Sequence, residues 1–85
     1  MKAKSRAVQE LISIIHTSPD LFKANDVCGF ESERFKISLT GNTRALSIVT
    51  LKVKGKYFPL TYRDKWALEV AALWWFRNVP INGYV

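Results

Sequence analysis

The chain is short of reactive side chains. It has one cysteine and one histidine in 85 residues. Cys28 has no second thiol to pair with, so the composition gives no sign of an oxidising compartment. Cys28 and His16 alone cannot make a protein zinc site, and neither has a sequence partner for nucleophilic catalysis. His16 falls at the end of the first expected helix, where an imidazolium complements the helix C-terminus. The four glycines are scattered and form no phosphate-cradling loop. Asp20, Asp26, Glu31 and Glu33 lack the spacing of a calcium loop and read as solvated acids. No catalytic residue, metal or cofactor is expected, and the chain reads as non-enzymatic.

Long apolar runs are also missing. Gln9, Glu10 and Ser13 interrupt the stretch after the basic start, so no secretory core forms. The run from Trp66 to Phe76 is broken by Glu69 and is too short for a membrane span. A cytoplasmic protein without membrane contact is expected. Its length supports one domain, residues 1–85, that must be held by packing alone. Three Trp, three Tyr and five Phe supply the material for that core.

Acids are scarce in one segment only. In residues 1–32, Lys2, Lys4, Arg6 and Lys23 are balanced by Glu10, Asp20, Asp26 and Glu31. In residues 64–85, Lys65 and Arg77 are balanced by Asp64 and Glu69. The net charge of +6 therefore sits in residues 33–63, where Arg34, Lys36, Arg44, Lys52, Lys54, Lys56 and Arg63 face only Glu33. A localised excess of this kind points to a polyanionic partner, or to a lysine-rich sheet edge that resists aggregation.

Periodicity predicts an α+β fold. Val8, Leu11, Ile12 and Ile15 make one face of a helix from Ser5, its cap, to about Thr17. Ser18-Pro19-Asp20 ends it, Pro19 can open a short turn through Lys23, and residues 18–32 read as loop. In residues 33–62, Phe35, Ile37 and Leu39 alternate with Arg34, Lys36 and Ser38. A two-residue turn at Gly41-Asn42 would pair Ile37 with Leu46 and Phe35 with Ile48. The apolar phase shifts after Ile48, which predicts a bulge. A second tight turn at Lys54-Gly55 pairs Leu51 with Phe58 and Val49 with Leu60, and Pro59 suits an edge strand. The last helix runs from about Arg63 to Asn78, ahead of a short tail, 79–85. Its apolar face is expected at Trp66, Ala67, Val70, Ala71, Leu73 and Trp74, with Lys65, Glu69, Ala72 and Phe76 opposite. Such a helix is apolar nearly all round, which makes Trp75 and Phe76 candidates for self-association and a homodimer.

The expected order α-β-β-β-α, a three-stranded antiparallel meander with both helices on one face, resembles the double-stranded-RNA-binding domain. The last helix adds Lys65 followed by Ala67, Ala71 and Ala72, as that family does. Asp64 and Leu68 stand where the family carries lysines, and the loop from Thr40 to Arg44 lacks its proline and histidine. The resemblance implies RNA as partner. Gln9, Glu10 and Ser13 would face a minor groove, Asn42 and Arg44 the next one, and Arg63 and Lys65 the phosphates between. The alternation itself places Arg34, Lys36 and Lys52 on the sheet face away from the helices, with Tyr57 opposite Lys52 and Lys54 and Lys56 at the turn. Cations beside an exposed aromatic suit a nucleic-acid strand. In size and charge the chain is also similar to TifA-type phage inhibitors of ribonuclease toxins from type III toxin–antitoxin systems. That likeness implies a host toxin as a second partner, neutralised with the help of RNA. A protein-binding inhibitor that docks its basic sheet face on an acidic partner is the alternative.

Overall fold

Val8, Leu11 and Ile15 are all fully buried, on one side of α1, Arg6–Thr17, as their spacing requires. The computed structural model describes residues 3–24, 29–41 and 46–78. Ser5 stands at the N-cap with extended backbone, but its side chain does not cap its own helix. Ser18 ends α1 by donating its amide to the Ile14 carbonyl at 2.8 Å. A single 3₁₀ turn, Pro19–Leu21, follows.

The segment expected to be loop holds two short strands, β1 (Lys23–Ala24) and β2 (Gly29–Glu31). They extend the sheet formed by β3 (Phe35–Gly41), β4 (Leu46–Val53) and β5 (Lys56–Tyr57). The result is a five-stranded antiparallel sheet in the order β1-β2-β3-β4-β5, not three strands. Elements of two and three residues are too short to show alternation, which is why the sequence pattern did not reveal them. Gly29 allows β2 to lie close to β3, since a Cβ there would sit 2.1 Å from the Ile37 carbonyl oxygen.

The β3–β4 register differs from the expected one. Gly41 pairs with Leu46, Leu39 with Ile48, Ile37 with Leu51 and Phe35 with Val53. A two-residue turn would have set Leu39 against Arg44; the observed pairing sets it against Ile48. The displacement before the bulge is an even number of residues, so the apolar residues keep the same face. Asn42 and Arg44 lie outside the described residues. The irregularity falls as expected: Ser38 pairs with Thr50 and Leu39 with Ile48, leaving Val49 without a partner on β3 and exposed. At the second turn Lys54 and Gly55 both have positive φ, 53° and 82°, the geometry of a two-residue hairpin. Lys52 pairs with Tyr57, and the Phe58 amide donates to the Leu51 carbonyl at 2.8 Å. The strand ends ahead of Pro59, and the expected pairing of Val49 with Leu60 does not form. The Ile48 amide of β4 donates to the Glu69 carboxylate at 2.8 Å.

Glu69 belongs to α2, Tyr62–Asn78, which is rotated from its expected orientation. Its buried residues are Asp64, Ala67, Leu68, Ala71, Ala72 and Trp75. Trp66 and Val70, expected inside, are 44% and 53% exposed, and Ala72, expected outside, is fully buried. Side-chain size explains the rotation. Ala67, Leu68, Ala71 and Ala72 form a low ridge on which the helix can approach the rest of the core closely, which Trp66 and Trp74 would prevent. Trp75 then fills the space beside β2. Its ring stacks on Phe30 at 4.5 Å and 10°, and its indole N–H donates to the Pro19 carbonyl at 2.9 Å. Phe22 and Phe76 meet Phe30 edge-on, both at 5.5 Å. One core therefore joins α1, α2 and the Phe35, Ile37, Leu39, Ile48 and Leu51 face of the sheet.

The helices lie side by side with their N-termini together. At one end Asp64 of α2 meets Ser5 before α1; at the other His16 meets Trp74, with ring centroids 4.6 Å apart. Asp64 is completely buried. Its carboxylate accepts the Lys4 amide at 2.6 Å, the Ser5 amide at 2.8 Å and the Ser5 hydroxyl at 2.5 Å. One charge thus faces two helix N-termini, each worth about half a positive charge. Burial pushes the Asp64 pKa up. The hydrogen bonds from Ser5, Thr61 and Lys4 outweigh that effect and bring it from 3.8 to about 2.

Candidate nucleic-acid interface

The strand registers align five residues in one row across the whole sheet. Lys23 pairs with Glu31, Glu31 with Lys36, Lys36 with Lys52 and Lys52 with Tyr57. Cross-strand partners share a face. Their chain neighbours Ala24, Phe30, Ile37 and Leu51 belong to the core or pack against it, so the row lies on the opposite, solvent-facing side. Strands about 4.8 Å apart give it a length of about 19 Å. Ser38 and Thr50, also paired, form the next row on that side.

Lys36 and Lys52 are directly opposite each other, a like-charge arrangement that destabilises a sheet. Glu31 flanks Lys36. Lys52 is half-buried, and its ammonium lies 4.7 Å from the centroid of the Tyr57 ring, a cation–π contact. Tyr57 itself is 72% exposed. The expected Lys52–Tyr57 juxtaposition is therefore present.

Arg34 is not on this face. Its guanidinium donates to the Glu10 carboxylate of α1 at 2.7 Å, so it turns toward the helices and is neutralised. The bend at Glu33–Arg34 breaks the strand alternation that would have sent it outward. Lys54 is exposed in the hairpin turn. Lys56 is exposed too, but it pairs with Val53, the partner of Phe35, so its alternation belongs to the helix side of the sheet edge. Arg63 and Lys65 are exposed at the start of α2. Gln9 is exposed on α1 and donates its side-chain amide to the Ala3 carbonyl at 2.7 Å. Trp75, expected at a self-association surface, is instead core, and Phe76 is half-buried against it with ring centroids 5.1 Å apart.

Three features of the surface escaped the sequence pattern. Lys23 joins the row only because β1 exists. Tyr62, 88% exposed, joins Trp66 and Val70 on the outside of α2, at the four-residue spacing that had suggested a buried stripe. Asp64, expected to balance the cations of the last helix, is turned inward. Among the described residues, no group of three or more His, Cys, Asp or Glu is placed to hold a metal ion, and no helix is long and apolar enough to cross a membrane.

Compared with protein-family models, curated proteins and solved structures, the chain matches none. The functional reading rests on the geometry of this surface.

Proposed function

We propose that this protein is a small RNA-binding protein that acts without catalysis, and that RNA lies along the open face of the sheet. The observation that carries the reading is the opposed pair Lys36–Lys52 beside exposed Tyr57. Two lysines directly opposite each other on paired strands cost the fold stability, and a phosphate strand lessens that cost while neutralising both. Lys54 extends the cationic pair at the hairpin turn, Lys23 adds a charge beyond Glu31 at the far end of the row, and the Tyr57 ring offers a face for a base. RNA is preferred to DNA on the resemblance to the double-stranded-RNA-binding domain in having a helix at either end of an antiparallel sheet and in the buried alanines of α2. The same reading accommodates a phage-encoded inhibitor that neutralises a ribonuclease toxin with bound RNA.

The test is salt-titrated binding of the pure protein to labelled duplex RNA, single-stranded RNA and duplex DNA. Affinity that falls steeply with salt, with RNA ahead of DNA, supports the reading. Absence of binding at low salt overturns it and favours an acidic protein partner for the same face.

A further inference from the structure

We propose that the groove between α1 and α2 receives an unpaired nucleobase of a bound RNA strand, stacked on Trp66. The inference rests on the RNA-binding reading and adds a second contact region on the solvent side of the helix pair. The groove has a volume of about 430 Å³ and an apolar wall from Trp66, Ala67, Val70 and Ala71. Its other wall is mixed: Gln9, Ser13 and His16 recur on one side of α1 beside Ile12, and Ala3 completes the lining. An aromatic face opposite hydrogen-bonding groups is what a planar heterocycle with polar edges requires. The Gln9 Nε2 is used by the Ala3 carbonyl, while no hydrogen bond to its Oε1 occurs among the described residues.

Charge selects a nucleotide over a second copy of this chain. Lys4, Arg6, Arg63 and Lys65 are all exposed around the paired helix N-termini, close in sequence to Gln9 and Trp66. The acid at that end, Asp64, is buried. The nearest others are occupied, Glu10 by Arg34 and Glu69 by the Ile48 amide. Phosphates flanking a base in the groove would meet these cations, whereas a second protein carrying the same charges would be repelled.

The experiment compares a single-stranded hexaribonucleotide with an abasic hexamer of equal phosphate count, titrated against the full chain and its Trp66→Ala and Trp66→Phe variants. Oligomeric state is measured alongside. We expect wild type to prefer the base-bearing strand, Trp66→Ala to lose about tenfold of that preference and keep only what the Tyr57 face supplies, and Trp66→Phe to retain most of it. Equal affinity for both strands in wild type overturns the inference. So does a preference that Trp66→Ala leaves undiminished, or a dimer that this variant dissociates. Binding of neither strand removes the RNA reading as well. Trp66 is partly exposed, and Trp66→Phe provides the folded aromatic control.

Discussion

The hydroxyl and the amide of Ser5 both donate to one carboxylate, that of Asp64, 59 positions away. A residue expected to cap its own helix is held instead by the acid of another, and that acid serves both helix ends. Removing it leaves the amides of Lys4 and Ser5 and the Ser5 hydroxyl without their acceptor. Asp64→Ala should therefore lower unfolding free energy by about 2–3 kcal/mol, read from urea denaturation near neutral pH.

The same carboxylate sets an acid limit. Its folded pKa is depressed to about 2 from 3.8, so its stabilisation is fully present above the unfolded value and is lost as pH falls from about 4 through 2. Denaturation midpoints measured across that range should decline in the native protein. In Asp64→Asn the decline should be shallower, because one of the groups that takes up a proton on unfolding is gone.

Stability and binding should separate at Lys36. Lys36→Glu exchanges the like-charge contact with Lys52 for one with Glu31, so stability should change by less than about 1 kcal/mol. The same substitution should weaken RNA binding and flatten its salt dependence. A variant that binds unchanged would displace the interface from the sheet.

The tryptophans of α2 should separate cleanly. Trp75→Ala removes the ring stacked on Phe30 and should cost about 3–5 kcal/mol. Trp66→Ala should cost much less, about 1 kcal/mol or under, because the side chain is 44% exposed. Chemical denaturation of both variants checks the rotation of the helix.

Gly29→Ala should loosen the β2 pairing, since the added methyl meets the Ile37 backbone at 2.1 Å. A loss of about 2 kcal/mol or more is expected, with faster hydrogen exchange in β2 and the facing part of β3.

Much of this architecture is legible in the sequence. The first helix and its buried face follow from Val8, Leu11 and Ile15. The faces of β3 and β4, the bulge at Val49 and the Lys54-Gly55 turn follow from alternation and turn chemistry. What is hidden depends on contacts between distant segments. Hydropathy ranks Trp66 and Trp74 above Ala72, but Ala72 is the residue that permits close approach. Alternation cannot show that Arg34 has Glu10 across from it, or that Asp64 has two helix ends to satisfy. β2 exists because β3 offers it an edge and β1 because β2 does, and nothing in Lys23–Ala24 announces a strand by itself. The Lys52–Tyr57 pair was readable because a two-residue turn fixes the register that creates it.

Trp75 reaches back to Pro19 and Phe30, and Asp64 to Lys4 and Ser5. During synthesis the first helix and the sheet are made before the residues that close the core over them. The nascent chain therefore carries the Phe30, Ile37 and Leu51 surfaces without their α2 cover until α2 has left the ribosome, and the core closes only after that. A message cut short before Trp75 would yield a chain exposed to proteases and chaperones, not a smaller working protein.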